Sequence, residues 1–248
     1  MMLNESALGD LPVAMAQSLR DFAEQGRTAL GDKLRSLILF GSAAEGRLRA
    51  TSDLNVMVVL SGLDSASFDA WRDSMRLLET LHRAHFMIVL EGEIGVAMEA
   101  FPDKFMDMLR RHRVLLGPDP FEGLAVDPVL LRRRISQSLL NHVLRLRAAY
   151  ALRGPYPEQA TIALAAVIGP LRAEAADLLE LDGVALQPKE ALERLAADLD
   201  GAPWDDVLTA ASDAHAGGRL IPEVVAPALF RAIELCAALH RRSLAVRA

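Results

Sequence analysis

Alanine-free apolar runs of strand length occur only in the first half of this chain. Segments 37–40, 56–60 and 86–90 are four or five residues each, and from Pro128 onward the apolar residues recur only at helical spacing. Short runs bounded by turn residues suit a buried sheet, whereas 3.6-residue periodicity suits helices. The chain is therefore expected to join an α/β (α+β) part to an all-helical part. The low aromatic share of 5% and the abundance of alanine and leucine agree with a helix-rich protein. None of these runs approaches the roughly 20 apolar residues of a membrane span.

In detail, the periodicity predicts a helix over about 11–30, a strand over 34–40, and one or two helical turns over 43–48. A second strand over 52–60, a helix over 65–84, a third strand over 85–90, a helix over 101–111 and a fourth strand over 113–116 follow. Beyond them come helices at about 128–153, 158–181, 188–199, 203–216 and 222–246. Asp127-Pro128 and Ile221-Pro222 each set proline at a first helical position. The expected division is 1–122 and 123–248.

Charge narrows the function. The net charge is −6, with 13 basic against 18 acidic residues up to Glu122 and 14 against 15 after it. Neither part is basic, so general nucleic-acid binding is not expected. One cysteine, Cys236, leaves no disulfide framework and fits a reducing, cytoplasmic setting. The histidines show no zinc-ligand spacing.

One constellation carries chemistry. An apolar strand runs into Gly41-Ser42-Ala43-Ala44-Glu45-Gly46, and a second strand opens with Ser52-Asp53-Leu54-Asn55. Glycine lets backbone approach a phosphate closely, and serine adds a hydroxyl and an N–H at a helix start. Residues two apart on a strand share a face, so Asp53 and Asn55 point the same way. Carboxylates so placed hold a divalent metal on a triphosphate; here the second position is an amide.

This stretch resembles the nucleotidyltransferase superfamily of the DNA polymerase β type, whose signature is Gly-Ser followed by Asp-x-Asp. It is similar in particular to bacterial nucleotidyltransferase-domain proteins with a C-terminal helical bundle and Ser-Asp-x-Asn in place of Ser-Asp-x-Asp. Phe101-Pro102, Phe105-Met106-Asp107, the run from His112 to Pro120 and Leu144-Arg145-Leu146-Arg147 add to the likeness. The resemblance implies a mixed sheet with flanking helices, followed by an antiparallel helical bundle. It also implies a nucleoside triphosphate bound with Mg²⁺, and transfer of the nucleoside monophosphate to a hydroxyl of a small molecule or protein. Gly41 and Ser42 match its phosphate turn, Asp53 its first metal ligand, and Asn55 its second.

A third carboxylate, the expected general base, has no match within the strand 85–90. Glu91 at the strand's end and His85 at its start are the candidates, although His85 reads more simply as an ordinary strand-start histidine packed beside a helix. The acid-free helix 128–153 offers Arg132 and Arg147 as triphosphate or acidic-substrate contacts, or as part of a solvated face. A non-catalytic nucleotide-binding or regulatory module, and a homodimer formed through the bundle, stand as alternatives.

Overall fold

The computed structural model describes residues 2–46, 53–200 and 203–245. Ser52 and the end of the expected 43–48 turn lie outside the described residues. The chain forms two compact units, Met1–Asp127 and Pro128–Ala248.

The first unit runs α1 (Val13–Leu30), β1 (Leu34–Phe40), β2 (Leu54–Leu60), α2 (Ser65–His82), β3 (Ala84–Leu90), α3 (Ile94–Ala100), α4 (Pro102–Arg110) and β4 (His112–Leu116). The strands lie in the order β3-β2-β1-β4. β1 is antiparallel to both β2 and β4, while β2 and β3 run parallel. A parallel pair needs a crossover, which α2 supplies. The free edge of β4 is met by the N-terminal segment, where the Asn4 N–H donates to the Leu115 carbonyl at 2.8 Å.

Both faces of the sheet are covered, which explains why the central strands are apolar without alternation. Leu37, Leu39, Val56 and Val58 pack under α1 and α2 beside Leu19, Phe22, Trp71 and Leu78. Ile38, Phe40, Met57 and Val59 pack on the other face beside Ile94, Met98, Phe105 and Met108 from α3 and α4. Trp71 is fully buried and donates from Nε1 to the Phe22 carbonyl at 3.2 Å. Gly26 makes room for it: a β-carbon there would stand 2.7 Å from the indole.

The helix expected over 101–111 is shorter and is preceded by another. α3 ends at Ala100, and α4 starts with Pro102 at its first position. A proline disfavours helical backbone in the residue before it, and Phe101 sits at φ −131°, ψ 56°. The expected 43–48 turns reduce, among the described residues, to a 3-10 turn over Gly41–Ala43.

The second unit consists of α5 (Pro128–Arg153), α6 (Pro157–Leu181), α7 (Pro188–Ala197), α8 (Asp205–His215) and α9 (Pro222–Leu244). α6 touches α5, α7, α8 and α9, and α5 also packs along α9. Three residues join α5 to α6, which sets those two neighbours antiparallel. Ile135, Leu139, Val143 and Leu146 form the buried stripe of α5. His142 and Glu174 are also buried, with His142 Nε2 3.0 Å from Glu174 Oε1. Among the described residues, no helix is long and apolar enough to cross a membrane.

Candidate functional site

β1 carries its buried apolar run up to Phe40 and then stops at Gly41, whose φ is +75°. Left-handed backbone is costly for residues with a β-carbon, and here space is short as well. A β-carbon on Gly41 would stand 3.3 Å from Asn55 Nδ2. The Ala44 N–H closes the turn onto the Gly41 carbonyl at 3.0 Å. Ser42 follows, half-buried.

Arg113, on β4, ties this turn down. Its guanidinium donates to the carbonyls of Ala44 and Ala7 and pairs with the Asp10 carboxylate. Those hydrogen bonds from Arg113 hold the Asp10 carboxyl below its usual range. Gly46 is needed for the same contact, because a β-carbon there would run into Asp10 Oδ2.

The other wall comes from the parallel pair. Phe40 lies opposite Asn55 across β1 and β2, and Asn55 lies opposite His85 across β2 and β3. Each β2 residue faces the one thirty positions later, beginning with Leu54 and Ala84. Asp53 and Arg83 therefore come immediately before the first rung, side by side. Arg83 Nη2 is 2.9 Å from Asp53 Oδ1, and His85 Nε2 is 3.7 Å from Oδ2. Asp53 Oδ1 is buried, yet accepts no hydrogen bond of good geometry among the described residues. Arg83 is thus a charge neighbour to that oxygen without being an aligned donor.

Arg83 itself occupies an unusual backbone position. It ends α2 in the left-handed region at φ 51°, ψ 44°, where glycine is the common residue. Among the described residues it is the one non-glycine with positive φ. Its side chain and that of His85 are 62% and 69% exposed, against 37% for Asp53. On the same face of the sheet as Asn55, Lys104 from α4 holds its ammonium 6.0 Å from the centre of the Phe40 ring.

The structure thus brings Gly41, Asp53, Asn55 and His85 to one end of the sheet. It places Glu91 at the other end, six residues further along β3 and about 20 Å away at strand rise. There Glu91 Oε2 lies 3.4 Å from Arg35 Nε. Arg132 and Arg147 belong to the helical unit. Arg132 pairs with Asp182 at 3.2 Å, and Arg242 reaches the same carboxylate at 3.4 Å. Arg147 lines a cavity of about 600 Å³ within that unit, with Tyr150, Trp204, Phe230 and Arg241.

Three residues of this region escaped the sequence reading: Arg83, Lys104 and Arg113. For Arg83 a signal existed, since Asp53-x-Asn55 and Arg83-x-His85 are matched pairs leading into two apolar runs. Lys104 and Arg113 had none, because helix packing and antiparallel register bring them here.

The residues that meet at this end do not fit a bound Mg²⁺. That ion needs near-octahedral oxygen ligation with compensating negative charge. Here one carboxylate already faces a guanidinium, and its neighbours are a neutral amide and an imidazole. Among the described residues, no group of three His, Cys, Asp or Glu side chains converges to hold a metal.

No family model matches the chain, and no curated protein matches it. Among solved structures it is similar to spectinomycin adenyltransferase AAD(9) from Enterococcus faecialis, crystallised with ATP and spectinomycin. The TM-score is 0.55 at 16% identity, over 89% of this chain and 98% of that chain. At that identity the likeness concerns the fold, which it extends through both units. The chain has a nucleotidyltransferase-like fold, a mixed four-stranded sheet with flanking helices followed by a helical C-terminal part.

Proposed function

We propose that this chain is a nucleotidyltransferase-superfamily protein that binds a nucleoside triphosphate at the Gly41-Ser42 end of its sheet without transferring the nucleotide. Support for binding comes from a fold shared with a protein crystallised with ATP, and from the left-handed glycine turn closing a buried strand. The observation that carries the loss of transfer is the company kept by Asp53: Arg83 at 2.9 Å, with Asn55 and His85 where further carboxylates would stand. General base catalysis contributes typically 10²–10⁴-fold, and metal activation adds to it. A site lacking both keeps affinity better than turnover.

The 3.7 Å approach of His85 to Asp53 favours one second reading. In it His85, oriented by Asp53, takes the proton of an acceptor hydroxyl on a small molecule or protein. The acceptor oxygen then bonds to the α-phosphorus and pyrophosphate leaves.

Incubation with α-labelled ATP, GTP, CTP and UTP, with Mg²⁺ or Mn²⁺ and a cell extract supplying acceptors, separates the readings. Binding by equilibrium dialysis with the purified chain, without transfer of the α-label to an acceptor, is the expected result. Transfer that is lost in His85→Gln would establish the second reading, and absence of any nucleotide binding would overturn both.

A further inference from the structure

We infer that this site takes the phosphate chain of its nucleotide without a divalent cation, and that Arg83 supplies the positive charge a metal would otherwise bring. The inference rests on the nucleotide-binding reading above and deepens it. Three observations lead to it.

The first is position. Arg83 Nη2 stands 2.9 Å from the buried Oδ1 of Asp53, the one carboxylate at the position the family resemblance gives to a metal ligand. Asp53 thus holds a cation there already, covalently part of the chain. A guanidinium pairs with phosphate oxygens through two parallel N–H groups, so it can meet a polyphosphate without an ion between them.

The second is local charge. The first 122 residues carry a net charge of −5, yet the carboxylates gathered at this end are each matched by a guanidinium: Asp53 by Arg83, Glu45 and Asp107 by Arg111, and Asp10 by Arg113. Lys104 stands over Phe40, the residue opposite Asn55. This end therefore lacks the excess of negative charge that the rest of the unit carries, and a polyanion meets less repulsion here.

The third is backbone. Arg83 occupies a left-handed helix end where glycine would fit at lower cost. Helix termination does not call for an arginine there; its guanidinium beside Asp53 is what the residue adds.

The test measures binding of ATP, and of inorganic tripolyphosphate as a base-free probe, by calorimetry with the full chain. It is run in EDTA and again in excess Mg²⁺. Both ligands are expected to bind in EDTA, with Mg²⁺ changing Kd less than 3-fold. Arg83→Gly is expected to weaken both at least 10-fold while its thermal midpoint stays level or rises, since glycine relieves the left-handed backbone. Asp53→Asn is expected to bind in EDTA within 3-fold of the parent or more tightly, the opposite of what losing a metal ligand would do.

Binding that requires Mg²⁺, loss of binding in Asp53→Asn, or undiminished binding in Arg83→Gly overturns the inference and leaves the nucleotide reading standing. No ATP binding in either buffer overturns both.

Discussion

Two carboxylates of this protein each face a basic side chain, in opposite surroundings. Asp53 and Arg83 meet at the open end of the sheet, with Arg83 mostly in solvent. Glu174 and His142 meet inside the helical unit, both buried. An exposed ion pair is worth about 0–1 kcal/mol, because water and salt screen it. A buried polar pair is far costlier to break, since the partner left behind keeps its desolvation penalty and gains nothing. The contrast separates a pair that can exchange partners with a ligand from one that holds the fold.

Breaking the buried pair should give the largest effect. Glu174→Ala leaves His142 Nε2 without its 3.0 Å partner and opens space between α5 and α6. A loss of about 3 kcal/mol in urea unfolding is expected, with Glu174→Gln losing less because the amide oxygen still accepts. A loss for Glu174→Ala no greater than for Arg83→Gly would erase the distinction between the two pairs.

The turn beside the exposed pair should be next in size. Gly41→Ala forces a β-carbon into backbone at φ +75° and against Asn55. A cost of about 1–2 kcal/mol is expected from the left-handed conformation. Its ATP affinity should fall further than its stability suggests, because Asn55 must give way. Unchanged calorimetric affinity would detach the turn from the site.

The smallest effect concerns His82, one residue before Arg83. Burial against α1, where its Nε2 lies 2.9 Å from Ser18 Oγ, lowers its pKa. As pH falls below about 6.5, the unfolded chain takes up the proton before the folded one does. Stability is therefore full above that pH and declines through the interval between the unfolded and the lowered folded value. A parallel series with His82→Gln should flatten the decline between pH 7 and pH 5.5. An unaltered slope would assign the acid sensitivity elsewhere.

Much of the secondary structure was legible in the sequence. The runs 37–40, 56–60 and 86–90 lie inside β1, β2 and β3; the two central strands, β1 and β2, are buried on both faces and so read as continuous apolar segments. Four of the five later helices announce themselves through proline starts, and α8 through the glycine-containing segments on either side of it. α3 did not, since Gly92 and Gly95 break its pattern and its apolar face is only two residues, Ile94 and Met98. The site was legible in part. Gly41, Asp53 and Asn55 are close in sequence and their facing follows from strand parity, whereas the distant position of Glu91 required the strand's direction and length.

What local chemistry determined, then, is the turn at Gly41, the shared face of Asp53 and Asn55, and the alternation of strand and helix before Pro128. These are interactions over a few residues, and backbone sterics with hydrophobic periodicity suffice for them. Which side chains stand beside Asp53 was decided only by the tertiary structure. The parallel register that aligns Arg83 and His85 with Asp53 and Asn55 spans thirty residues, and the packing of the α2 crossover against the sheet sets it. A slip of one residue would have turned both side chains to the opposite face.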